Sequence, residues 1–151
     1  MPIRVEIVSQ DRMVFEGDAD LVIAPAVGGQ IGILPNHAPL LSTLNFGILK
    51  VRRQGEEEHF FTIAGGVIEV QPDLITVLAD AAEAVEEIDV TRAAEAKKRA
   101  EEYLAKGPPP DTDSYLAMET SLRRSNLRLE AARRFRGDQP SLRQSGRGDS
   151  E

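Results

Sequence analysis

The sequence predicts a mainly β protein with an α-helical end: an N-terminal antiparallel β-sandwich of two sheets followed by a C-terminal α-helical hairpin. Three observations predict it. Up to about residue 87, short apolar stretches, the first alternating with period two, are separated by Gly, Pro and Asp. From Asp89 onward the chain is rich in Ala, Glu, Lys and Arg, which are strong helix formers. A Gly-Pro-Pro-Pro run at 107–110 then divides that helical part in two.

Taken in order, Ile3, Val5 and Ile7 alternate with Arg4, Glu6 and Val8, the pattern of a half-buried strand. Residues 13–15 and 21–23 are further short strands, with Glu16-Gly17-Asp18 and Val27-Gly28-Gly29 as breakers. Residues 31–34 follow, ended by Pro35 and Pro39, which cannot donate to a ladder. Residues 46–53 and 58–64 flank Gln54-Gly55-Glu56, a hairpin signature. Residues 67–70 and 74–78 flank a second tight turn, Gln71-Pro72-Asp73. Between two of these strands, Gly65-Gly66 predicts a bulge or sharp bend.

Asp89 is the expected N-cap of the first helix. Ala93, Ala96, Ala100 and Leu104 share one face of it and let a second helix approach closely. Asp111 or Asp113 caps the second helix, where Tyr115, Met118, Leu122, Ser125, Leu129 and Ala132 form a narrow seam. Helices joined by so short a loop pack antiparallel. Alanine buries little area at roughly 25 cal/mol per Å², so this hairpin needs a partner surface. The expected division is 1–87 for the sandwich, 88–136 for the hairpin, and 137–151 for a disordered tail of Gly, Ser, Arg, Gln and Asp.

Charge is unevenly shared. Residues 1–88 carry 5 Lys and Arg against 14 Asp and Glu, whereas residues 89–151 carry 13 against 11. Residues 114–136 alone hold 6 Arg against 2 Glu, an arm suited to an acidic protein surface or a phosphate-bearing ligand. The acidic body would repel duplex nucleic acid, so no nucleic-acid partner is expected. With no cysteine, disulfide scaffolds, thiolate metal sites and cysteine nucleophiles are excluded. No apolar run approaches the ~20 residues of a membrane span, so the expectation is a soluble chain without direct membrane insertion.

A catalytic constellation is not visible. His37 and His59 each lack a neighbouring ligand pattern; His59 reads as a cross-strand or surface residue and His37 as a loop-orienting or docking one. No Lys-Ser/Thr follows Gly65-Gly66, so it is no phosphate cradle. The helical part is more suggestive. Arg92 lies about one turn beyond Asp89, and Arg124 and Arg128 are four apart on one face. Two readings fit: three guanidinium forks around a triphosphate, or a plain cap with arginines solvated or paired with glutamates.

Four segments, in order, resemble the bacterial F-type ATP synthase epsilon subunit. They are Gly32-Ile-Leu-Pro-Asn-His-Ala-Pro-Leu-Leu, Gly65-Gly-Val-Ile-Glu-Val, Leu78-Ala-Asp-Ala-Ala-Glu and Ile88-Asp-Val-Thr-Arg-Ala. The resemblance implies a non-catalytic rotor subunit of the central stalk, which couples c-ring rotation to the catalytic head and inhibits ATP hydrolysis through its hairpin. It implies binding to the gamma subunit and the c-ring subunits, peripheral to the cytoplasmic face of the bacterial cell membrane. Gln30, Ile31, Pro35, Asn36, His37 and Ala38 are similar to the segment facing the ring.

The extended hairpin of that family meets an acidic segment of a catalytic beta subunit, which implies that role for Arg123, Arg124, Arg128, Arg133 and Arg134. No cofactor is required. In some relatives the folded-down hairpin binds ATP as a regulatory ligand, through a motif matched here by Ile88, Asp89, Arg92 and Ala93 together with Arg124 and Arg128. A chain whose main role is reporting ATP level is the alternative. The Gly107-Pro108-Pro109-Pro110 turn departs from the family's polar loop.

Overall fold

The computed structural model describes residues 1–107 and 111–136. The predicted sandwich and hairpin are both present. Eight strands come first: β1 (Ile3–Ser9), β2 (Met13–Ala19), β3 (Leu21–Ala26), β4 (Gly29–Ile33), β5 (Leu40–Arg52), β6 (His59–Val70), β7 (Leu74–Ala79) and β8 (Ala82–Ala84). A single 3-10 turn, Val85–Glu87, leads into α1 (Val90–Ala105) and α2 (Thr112–Phe135).

The strands form one continuous ladder, β2-β1-β7-β6-β5-β3-β4, with β8 also on β6. Burial parity shows how that ladder makes two layers. In β5 and β6, Leu44, Ile68 and Val70 are buried in one half, while Leu49, Val51, Phe61 and Ile63 are buried in the other. The parity of both strands therefore switches between the halves, near Gly47 and Gly65-Gly66. Each long strand serves two sheets, β2-β1-β7-β6-β5 and β8-β6-β5-β3-β4, whose inner faces share one core.

The predicted bend at Gly65-Gly66 exists, within one strand rather than between two. Both glycines have positive φ, +84° and +131°. A Cβ on Gly66 would stand 2.3 Å from the Leu78 carbonyl oxygen, so the bend is closed to other residues. β5 likewise starts at Leu40, earlier than the apolar pattern indicates. The pair β1–β7 is parallel, in register from Arg4↔Leu74 to Ser9↔Ala79, within an otherwise antiparallel ladder.

The helices follow their signals. Asp89 caps α1 by accepting from Arg92 N–H at 3.1 Å, and Gly107 (φ +98°) turns the chain after it. Of the two candidate caps for α2, Asp111 does the work, accepting from Ser114 N–H at 2.7 Å and Ser114 Oγ at 2.9 Å. The Ala93 and Ala100 face is buried as expected, with Ala96 and Leu104 half-buried. The second seam differs at both ends: Tyr115 is exposed, and Ala131 joins Ala132 and Ser125 in being buried. Ser125 is satisfied by donating to Ser121 O at 2.8 Å. Pro108 to Pro110 and the expected tail 137–151 lie outside the described residues.

Candidate functional site

The sandwich has two outer faces, and they carry different chemistry. On the β8-β6-β5 sheet, outward positions seat α2. Phe60 stacks on Phe135 at 4.6 Å, Lys50 Nζ stands 5.5 Å from the centroid of the same ring, and Phe46 lies under the Arg123 guanidinium at 4.2 Å. Arg123 also donates to Asn45 Oδ1 at 2.9 Å. Beneath α2, Val85, Ile88, Ala131 and Ala132 form a small second core with Ile48, Phe60 and Phe135. The hairpin is thus folded down onto the sandwich.

The opposite outer face has no covering element among the described residues. The pairings Met13↔Val8, Val8↔Leu78, Leu78↔Val67 and Val67↔Thr43 set these outward side chains in one row across five strands. Met13, Leu78 and Val67 are exposed, and Leu41, two residues from Thr43 on β5, is 71% exposed. A row of apolar side chains held in water on a rigid sheet marks a contact surface.

The turn after β4 sits at one end of the sandwich. Pro35 and Asn36 occupy its central positions, closed by His37 N–H donating to Leu34 O at 3.1 Å. Asn36 has φ +66°, the left-handed value that a type II turn needs at its third residue. Asn36 N–H donates to Pro72 O at 3.0 Å, pinning the turn to the β6–β7 connection, and His37 Nδ1 lies 2.7 Å from Ala38 O. Ala38 is exposed. The residues singled out with this turn do not all gather there. Gln30 is exposed on β4 and lines a crevice of about 300 Å³ beside Phe135, while Ile31 packs against the sandwich core. His59 is exposed on its strand, with its ring against Phe15 and Phe61.

The residues proposed for a nucleotide are mostly engaged. Ile88 and Ala93 are buried, and Asp89 is used as a cap. Arg128 makes a two-pronged pair with Glu83, through Nε to Oε1 and through Nη2 to Oε2 at 3.4 Å. Both partners are four-fifths withdrawn from water. Arg124 lines the same crevice, which holds only about 10 Å³, room for roughly one water. Arg92 and Arg133 form no ion pair among the described residues, and Arg134 pairs only with Glu130, at 3.8 Å along its own helix. The same geometry gathers no group of three or more metal-ligating side chains among the described residues.

Sequence reasoning singled out Arg123 and Arg128 but missed their partners, Asn45, Phe46 and Glu83, and it missed Phe135 and Arg136. The apolar row could have been found. Val8, Val67 and Leu78 are apolar at positions that strand alternation assigns to solvent.

Two family models divide the chain between them. The beta-sandwich domain of the ATP synthase delta/epsilon chain matches residues 2–85, and the long alpha-helix domain of that chain matches residues 86–133. The chain belongs to the ATP synthase delta/epsilon family.

Curated relatives within this family are named ATP synthase epsilon chain. That of Dehalococcoides mccartyi is 46% identical over 136 residues, covering 89% of this chain and 94% of the relative. That of Halalkalibacterium halodurans is 41% identical over 132 residues, covering 87% and 98%. Among solved structures, a chain of the Euglena gracilis mitochondrial ATP synthase, in an assembly with its c-ring, superposes with a TM-score of 0.69 at 26% identity, covering 87% and 81%. A chain of the Tetrahymena thermophila central stalk and c-ring shares the fold, with a TM-score of 0.57 at 14% identity. The described helices of this epsilon-family chain include none long and apolar enough to cross a membrane.

Proposed function

We propose that this chain is the epsilon subunit of a proton-translocating ATP synthase. In this role it is a non-catalytic rotor element that passes c-ring rotation to the catalytic head and restrains ATP hydrolysis through its hairpin. The observation that carries the docking half is the open apolar row Met13, Val8, Leu78 and Val67, which lies on the outer face that the hairpin does not use. Burying it against the gamma subunit returns roughly 25 cal/mol for each Å² of apolar surface. The turn Pro35, Asn36, His37 and Ala38 then meets the c-ring from the end of the sandwich. Gln30, on the hairpin side, takes part in hairpin seating instead. Ile31, half-buried and packed on the core, supports the β3–β4 hairpin that leads into this turn. Such a subunit sits peripherally on the cytoplasmic face of the cell membrane.

Restraint of hydrolysis comes from the basic face of α2, with Arg123, Arg124, Arg128, Arg133 and Arg134 meeting an acidic segment of a catalytic beta subunit once the hairpin extends. Extension requires Arg123 to leave Phe46 and Arg128 to leave Glu83. The test is retention of the chain by purified gamma subunit on a sizing column. Wild type co-elutes, and Leu78→Asp, which places a charge in the apolar row, does not. Co-elution of Leu78→Asp at wild-type strength would remove this face from the account.

A second reading, an ATP-responsive hairpin, is favoured by one observation: Arg124 and Arg128 line a single crevice. In this arrangement Glu83 already satisfies Arg128, so a triphosphate must displace a carboxylate and open the crevice. Calorimetric titration of ATP into wild type and an Arg124→Ala, Arg128→Ala double variant decides it. Heat in the first and none in the second supports sensing; no heat in either leaves coupling without sensing.

A further inference from the structure

The last turn of α2 runs to Phe135 and is capped by Arg136, whose N–H donates to Ala132 O at 3.2 Å. What these two residues do is unlike the rest of the hairpin. Arg136 Nη2 lies 2.9 Å from Val85 O, 2.7 Å from Glu86 O and 2.8 Å from Ile88 O. Those carbonyls belong to the 3-10 turn and the residue after it, the joint between the sandwich and α1. Val85 O already accepts from Ile88 N–H at 3.3 Å, and a carbonyl has a second lone pair to offer; an arginine is the side chain best suited to collect several such acceptors. Beside it, Phe135 covers the second core through its stack on Phe60.

The far end of the hairpin therefore grips the joint about which the hairpin must turn. We propose that Phe135 and Arg136 are a latch, which holds the hairpin down by capping the joint's carbonyls. Phe135 closes the small core. The guanidinium hydrogen bonds to Val85 O and Ile88 O are part-buried, where they are stronger than they would be on an open surface. Because the acceptors are backbone atoms, no substitution at Val85, Glu86 or Ile88 removes them. On the latch's polar side, the group that can be changed is therefore Arg136. The joint can straighten only after Arg136 lets go, so release begins at the C-terminal end of α2. This latch requires no nucleotide, and it deepens the two-position reading of the hairpin given above.

Amide hydrogen exchange on the isolated full chain tests it, comparing wild type with Arg136→Ala, Arg136→Lys and Arg133→Ala. Hydrogen bonds to a charged group contribute enough that Arg136→Ala should speed exchange in residues 125–136 and at the joint by roughly ten- to hundredfold. Arg136→Lys, which keeps the charge without the planar fork, should fall between. Arg133→Ala, at an exposed residue without an ion pair among the described residues, should match wild type, as should the β5–β6 amides in every variant. Exchange in Arg136→Ala no faster than in Arg133→Ala would overturn the latch, and so would an equal rise throughout the sandwich. In the assembled enzyme, Arg136→Ala should also lower ATP hydrolysis. Faster exchange with unchanged hydrolysis would leave the latch standing and count against the inhibitory reading alone.

Discussion

The sandwich withdraws Ile3, Ile7, Leu49, Ile63, Ile68 and Ile75 completely from water, whereas the hairpin's own buried positions are Ala93, Ala100, Ser125, Ala131 and Ala132. A fully buried Ile or Leu side chain contributes about 1.5–3 kcal/mol, and an alanine far less. The hairpin is instead attached by a few directional contacts: an aromatic stack, cation–π contacts and arginine pairs. The difference teaches a division of labour. A body that must transmit torque is built from non-directional burial with no alternative arrangement. The hairpin is held by contacts that can be exchanged one for one with little area lost, which suits the change of position proposed for it.

That contrast can be broken or sharpened by substitution. The largest effect belongs to Gly66→Ala. A Cβ there meets the Leu78 carbonyl at 2.3 Å in a left-handed backbone, so the cost should be on the order of 4 kcal/mol of global stability. Denaturant unfolding should show one shifted transition that carries the sandwich with it. If Gly66→Ala loosened only the hairpin, the bend would not be the keystone of the two-layer ladder. Phe135→Ala comes next. Losing the stack on Phe60 and the Lys50 contact should weaken hairpin seating by about 1–3 kcal/mol, seen as hairpin exchange without a change in the sandwich midpoint.

These contrasts also show what could be read from the chain. The alternation Ile3, Val5, Ile7 announced its inward face because burial on one side imposes period two, and all three are fully buried. Asp89 and the Ala93–Ala100 stripe announced a helix start and a close helix contact because capping and small-residue packing are local. The parallel β1–β7 pair was not legible, because its partners lie about seventy residues apart and neither strand carries a mark of direction. Gly65-Gly66 read as a break between strands, since a positive φ in sequence looks the same whether a strand ends or bends. Arg136 counted in sequence only as one of the six arginines of residues 114–136. Only the fold brings it to carbonyls some fifty residues earlier. Glu83 and Arg128, 45 residues apart, were hidden for the same reason.

Arg128→Ala should have a smaller effect. Both partners of the Glu83 pair are partly solvated, so screening leaves about 1 kcal/mol on hairpin seating, and less in high salt. Hairpin exchange measured against ionic strength checks it: wild type should be salt-sensitive and the variant flat. The smallest effect is at the far end of α2. The Asp111 carboxyl is held below its ordinary value by accepting from the Ser114 backbone N–H and then the Ser114 hydroxyl. A folded value below the unfolded one stabilises the helix start at pH above the ordinary carboxylate range of about 3.9, and the benefit is lost as pH falls through the lowered value. The first turn of α2 should therefore fray below about pH 4 while the sandwich amides stay protected, which a pH series of amide spectra would follow.

The central claim is that docking resides in the sandwich and control in the hairpin. The most direct measurement replaces the full chain in the assembled ATP synthase with one ending after Ile88 and compares gamma-subunit retention and ATP hydrolysis. The division predicts equal retention, because the row Met13, Val8, Leu78 and Val67 is intact, together with faster hydrolysis. Loss of retention, or equal hydrolysis rates with the two chains, would contradict it.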